Sequence, residues 1–168
     1  MSRKSSSMNL KKENIMLKTI LLSLAMALSG GGAKGKATVA IDEVANIVDG
    51  VDATELYPHL KDNPQEAKER LGKLLVAWSY WESAWDPKAL GDGGRSCGIM
   101  QVNPRTIGVS CDKMRSSPRA GLEAGFRVIR RLNQLCGGLK PALGAYASGK
   151  CGGARKIVDF RCNKSGGC

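Results

Sequence analysis

Trp81 to Pro104 reads WESAWDPKALGDGGRSCGIMQVNP, and its two halves ask for different structures. The first half closes an apolar helical run. Ala67, Leu71, Leu74, Leu75, Trp78, Trp81 and Trp85 recur with the i, i+3, i+4, i+7 spacing of one helix face. Asn63-Pro64 opens that helix, with Pro at the first helical position and Glu66 and Glu69 in the early turns. Asp86-Pro87 stops it, because a residue before proline disfavours helical geometry. Glu82 lies one residue past Trp81 and four past Trp78, at the edge of the apolar face. A carboxylate there is only partly solvated, and indole faces beside it favour its protonated form.

The second half is too rich in glycine to continue the helix. Gly91-Asp92-Gly93-Gly94 predicts a tight loop. It is not a phosphate loop, since no apolar strand precedes it and no Lys-Ser/Thr pair opens a helix after it. Gly98 to Val102 predicts a brief extended piece, and Asn103-Pro104 turns the chain away. An acid at a helix end followed by this loop suits a groove that binds an uncharged, hydrogen-bonding ligand.

Outward from this stretch, the periodicity is helical. Ala37 to Val48 carries Val39, Ile41, Val44, Ile47 and Val48, and Asp52 to Glu55 caps a short second helix with Leu56 and Leu60. Pro118 to Cys136 predicts a long helix with Leu122, Phe126, Val128, Ile129, Leu132 and Leu135 on its core side. Gly137-Gly138 ends it, Ala142 to Ala147 forms another, and a last helical segment lies around Ala154 to Phe160. Arg119, Arg127, Arg130 and Arg131 form a solvated face with no interleaved aromatics, so nucleic acid is not an expected partner.

The chain has 168 residues, enough for one domain, and a formal charge of +11. Five basic residues lie in the first 18 positions; from Lys34 onward 21 Lys/Arg stand against 14 Asp/Glu, leaving +7. Such a surface favours polyanions in general. Lys11 and Lys12, the apolar run IMLKTILLSLAMAL from Ile15 to Leu28, and the small residues from Ser29 to Ala33 make residues 1–33 a secretory leader. The uninterrupted part, Thr19 to Leu28, is too short to span a bilayer. No stable membrane span is therefore expected after processing, and the protein is expected to be exported, periplasmic or extracellular. Six cysteines, Cys97, Cys111, Cys136, Cys151, Cys162 and Cys168, fit an oxidising compartment. With no CxxC, no Cys/His pair at metal spacing and one histidine, His59, no metal or cofactor is expected. The expected pairing includes Cys97 with Cys111, around the loop after Gln101, and Cys151 with Cys162 in the tail.

Three short motifs now stand in order: Glu82-Ser83, Gly98-Ile99-Met100-Gln101 and Ala145-Tyr146-Ala147-Ser148-Gly149. Over roughly residues 65 to 160 the chain resembles the soluble lytic transglycosylase and goose-type lysozyme superfamily. That family's pattern is Glu-Ser, then Gly-Leu-Met-Gln, then Ala-Tyr-Asn-Ala-Gly; the third motif departs from it at Ala147-Ser148. The resemblance implies a mainly α, lysozyme-like (α+β) single domain, with a small extended segment beside the active-site groove. The domain would occupy 65–168 with a disulfide-linked C-terminal half, behind the 1–33 leader and a 34–64 helical layer. It implies an enzyme acting on peptidoglycan glycan strands; the oligomeric state is left open, with a monomer favoured. Its bond would be the β-1,4 link between N-acetylmuramic acid and N-acetylglucosamine.

By the same resemblance Glu82 is the general acid, kept protonated by an apolar pocket that Trp81, Trp85 and Met100 would supply. Ser83 orients the pocket, Ser96, Gln101 and Asn103 face the sugar, and Tyr146 contacts Glu82 or the muramic acid. Met100 belongs to the same binding set. With Glu82 acting alone, the substrate's N-acetyl and 6-hydroxyl groups complete the reaction and leave a 1,6-anhydro sugar, the favoured outcome. With Asp92 placing water, the outcome is hydrolysis, as in a goose-type muramidase or endolysin. Asp86 is a weaker candidate, expected to be a helix-end residue. A non-enzymatic basic protein that binds walls or membranes is the rival class.

Overall fold

The computed structural model describes residues 3–31 and 34–168. Eight α-helices, α1 (Arg3–Ser29), α2 (Lys34–Asp49), α3 (Pro64–Ser83), α4 (Pro104–Ile107), α5 (Cys111–Arg115), α6 (Pro118–Cys136), α7 (Leu139–Ser148) and α8 (Arg155–Ser165), are arranged around α3. A two-stranded antiparallel ladder, β1 (Leu90–Gly91) and β2 (Ser96–Cys97), pairs Leu90 with Cys97 and Gly91 with Ser96. Short 3₁₀ turns occupy Ala53–Glu55, Pro58–Leu60 and Asp92–Gly94. The architecture is the mainly α fold that the sequence predicted, with its small extended element at Leu90–Gly91 and Ser96–Cys97 rather than at Gly98 to Val102.

Helix α3 is central because its apolar stripe is continuous. Leu71, Leu74, Leu75 and Trp78 are all within 1% of full burial. Asn63 caps its start by accepting from the Glu66 N–H, with Pro64 filling the first position. Its end differs from the expected proline stop. Ser83 is the last helical residue; Ala84 (φ 52°) and Trp85 (φ 61°) then take left-handed conformations that few non-glycine residues adopt. Trp85 holds this turn by burying its ring and donating Nε1–H to Val76 O at 2.9 Å. Pro87, two residues on, follows a helix that has already ended.

Helix α6 spans the predicted residues and forms a hairpin with α7 through Gly137 and Gly138, whose positive φ values suit glycine. The hairpin explains the disulfides. It brings Cys151, just after α7, beside Cys136 at the end of α6. Cys162 of α8 pairs with Cys168, and Cys97 pairs with Cys111 as expected. The expected Cys151–Cys162 bridge does not form, because the α6–α7 hairpin gives Cys151 its partner in Cys136 and the chain end brings Cys168 to Cys162.

Two further differences concern the central stretch. Gly98 to Gln101 is a tight turn rather than an extended piece, closed by paired hydrogen bonds between Cys97 and Val102 at 3.0 Å. Between Pro104 and Arg115, where no helix was predicted, α4 and α5 form on caps from Asn103 and Ser110. At the N-terminus, α1 lies along α2 and α3. Leu17, Leu21 and Ala25 are buried, and the Leu17 and Leu21 methyls rest over Gly72, where a Cβ would stand 3.2–3.4 Å from them. Ile15, Met16, Leu22 and Met26 point outward. Among the described residues no helix is long and apolar enough to cross a membrane. The leader's residues 1, 2, 32 and 33 lie outside the described residues.

Candidate active site

A groove of about 690 Å³ runs past the C-terminal end of α3, with walls from the β1–β2 turn, α4, α6, α7 and α8. It brings together Glu82, Asp92, Ser96, Gln101, Asn103 and Tyr146 from the sequence-predicted set, with Thr106, Val128, Leu132, Ile157 and Arg161. Ser83 and Met100 do not line it; they support it.

Ser83 acts on the backbone. Its Oγ donates to Ile99 O at 2.8 Å and accepts from the Asp86 N–H at 3.1 Å, tying the helix end to the Gly98–Gln101 turn. Met100 is fully buried, pressed against Gly125, where a Cβ would lie 2.6 Å from its side chain. The Met100 carbonyl accepts from the Tyr146 hydroxyl at 2.5 Å. Tyr146 therefore reaches the backbone of the central turn, and among the described hydrogen bonds none joins it to Glu82. Gln101 adopts φ 48° and donates Nε2–H to Gly98 O at 2.9 Å. Its Oε1 occupies the space of a side chain at Gly91, so a larger residue there would displace the Gln101 amide. Asn103 accepts from the Arg105 N–H with Oδ1, which leaves its Nδ2 for a ligand.

Asp92 sits on the exposed 3₁₀ turn at φ 52°, its carboxylate accepting from Ser96 Oγ at 2.5 Å. Asp86 is a helix-end residue, 3.7 Å from Lys36 Nζ and accepting from the Lys88 N–H. It is not among the groove-lining residues.

The surroundings of Glu82 differ from the apolar pocket read from the sequence. Arg161 Nη1 lies 2.6 Å from Glu82 Oε1, both side chains being more than four-fifths buried. The guanidinium rests over Trp78 (4.8 Å to the ring centroid) and Trp81 (5.4 Å). Thus Trp78 and Trp81 face the cation. Trp85 packs against Tyr80 with tilted rings, 4.7 Å between centroids, and neither Trp85 nor Met100 lines the groove. Arg161 was not legible beforehand. It lies 79 residues from Glu82 in a short helix, and an arginine in such a segment reads as solvated. The one available signal was a charge set among Val158, Phe160 and Cys162.

A second cleft, of about 430 Å³, is lined by Glu66, Glu69, Arg70 and Lys73. These pair with one another along α3, Arg70 with Glu66 and Lys73 with Glu69, so their charge is spent locally.

Two tyrosines carry a pH dependence. Loss of solvation raises the Tyr146 hydroxyl well above its ordinary 10.0, helped by the Glu82 charge. Burial raises Tyr57 as well, its hydroxyl donating to Gly167 O. Both folded-state values are raised, so their contribution to stability is fully present below about pH 10 and is lost above it. Unfolding free energy is expected to fall from pH 10 to 11 by up to about 1.4 kcal/mol per pH unit for each tyrosine. Urea titrations check this: Tyr57→Phe should flatten the slope, and an unchanged slope would contradict it.

A carboxylate at a helix end, beside an open groove with amide and hydroxyl groups on its walls, is the candidate active site of this mainly α, lysozyme-like fold. Residues 61–160, more than half of the chain, match the transglycosylase SLT domain, and the chain belongs to that family, whose members are enzymes acting on peptidoglycan. No curated protein and no solved structure matches the chain.

Proposed function

We propose that this enzyme cleaves the β-1,4 bond between N-acetylmuramic acid and N-acetylglucosamine, as a lytic transglycosylase that leaves 1,6-anhydromuramic acid ends. The observation that carries this reading is the position of Glu82, partly buried at the end of α3 on a groove shared with Gln101, Asn103 and Tyr146. Glu82 gives its proton to the glycosidic oxygen as the C1–O bond breaks, and the N-acetyl oxygen of the muramic acid stabilises C1. The 6-hydroxyl oxygen then bonds to C1 and returns its proton to Glu82, so the acid is regenerated without water. Gln101 and Asn103 orient the sugar, and Ser83 and Tyr146 hold the turn that presents them.

A second reading has one observation in its favour: Asp92 lines the same groove and keeps its carboxylate oriented through Ser96. An aspartate there suits a water-placing base and a hydrolytic outcome. Chromatography of digested sacculi with mass detection separates the two. Anhydro-ended muropeptides are the expected product; reducing ends without them would replace the transglycosylase reading by the hydrolytic one.

The same reading makes the protein an exported one. Its six cysteines all form disulfides, which suits an oxidising compartment, and residues 1–33 have the composition of a secretory leader.

A further inference from the structure

We infer that Arg161 is a positioning residue for the reaction, holding the Glu82 carboxylate in one orientation and stabilising the ionised form that the acid takes once it has given up its proton. This rests on the reading of Glu82 as the acid. Three features carry it. The Arg161–Glu82 contact is short, at 2.6 Å, and largely removed from solvent. The guanidinium is fixed independently of Glu82 by two indole faces, since it lies over Trp78 and Trp81. And Arg161 is bonded to Oε1 alone, which leaves Oε2 to carry the proton to the glycosidic oxygen.

A guanidinium held this way is preorganised for charge that develops during the step, which is the condition under which electrostatic stabilisation is most effective. As the proton moves to the leaving oxygen, negative charge grows on Glu82 beside a cation already in place. The other titratable groups around Glu82 are Tyr146 from α7 and Asp92 across the groove. Burial raises the Tyr146 hydroxyl well above its ordinary value and Asp92 is bonded to Ser96; among the described groove-lining residues Arg161 is the only cation.

Separate kcat and KM values on purified sacculi test this with Arg161→Gln, Arg161→Lys and Glu82→Gln, each checked by thermal melting. For Arg161→Gln kcat should fall about threefold to tenfold, as charge develops on Glu82 without its preorganised cation. KM should stay within about twofold, because an interaction of the transition state rather than of substrate binding is removed. Arg161→Lys should restore much of the kcat. A merely structural role predicts a lowered Tm with kcat of the folded fraction unchanged, and that result overturns the inference. If Glu82→Gln keeps its activity, the reading of Glu82 itself has failed and the role of Arg161 falls with it.

Discussion

Glu82→Gln is expected to abolish wall-clearing activity, by a factor of about 10² to 10⁴, while the protein stays folded. The factor is that of a positioned general acid removed from its reaction. The substitution keeps the volume and one hydrogen-bond acceptor but removes the proton donor, so binding through Gln101 and Asn103 survives and turnover does not. Stability should change little. Arg161 loses a charged partner, yet the amide oxygen still accepts from it and the two indole faces remain. The loss should stay below the roughly 1.5–3 kcal/mol assigned to a hydrogen bond with a charged group. Turbidity of a cell-wall suspension and a melting curve measure the two quantities. Undiminished clearing by the Gln variant would point instead to a basic protein that disrupts walls or membranes without cleaving them. A collapse in melting temperature would mean that Glu82 is held chiefly for structure.

The helices that build this site were readable where a periodic face coincided with a cap. α3 begins at Pro64 and α6 runs from Pro118 to Cys136 because each has an Asn or Ser cap, a proline at its first position and an apolar stripe. The groove's near wall was readable for a related reason: Glu82, Asp92, Ser96, Gln101 and Asn103 lie within 22 residues of sequence, and a turn sufficed to bring them together. What escaped was set by tertiary contact. The left-handed pair Ala84 and Trp85 depends on the indole bond back to Val76, nine residues earlier, which no single-residue propensity encodes. The Cys136–Cys151 bridge depends on the α6–α7 hairpin closing. Arg161 escaped most consequentially. A cluster of tryptophans next to a glutamate invites the reading of an apolar pocket, whereas the same rings serve equally well as a platform for a cation. Sequence cannot choose between these, because the choice is made by a residue arriving from α8.

Gly98→Ala is expected to lower both stability and activity, and by more than an ordinary glycine substitution in a turn. Gly98 has φ 75°, where an L-residue pays roughly 1–2 kcal/mol. An added Cβ would also lie 2.9 Å from the Met114 backbone oxygen, a contact that cannot be relieved by a rotamer change. Overpacking of this kind costs about 1–3 kcal/mol more. Together these predict about 2–5 kcal/mol, or a fall of roughly 4–20 °C in Tm for a chain of this size. The Cys97–Cys111 bridge keeps α5 tethered beside the turn, so the strain cannot be released by letting α5 drift away. It passes instead into the turn, whose Ile99 carbonyl binds Ser83, whose Met100 carbonyl binds Tyr146 and whose Gln101 enters the groove. Activity should therefore fall beyond what the loss of folded protein explains. Gly108→Ala is the matched control: φ is 66° and nothing lies within 4 Å of the added Cβ, so only the conformational cost applies. Equal losses in the two variants would show that closeness to Met114 is not what requires glycine at position 98. A larger loss for Gly98→Ala, with reduced turnover by the folded fraction, would tie the floor of the groove to the packing of α5.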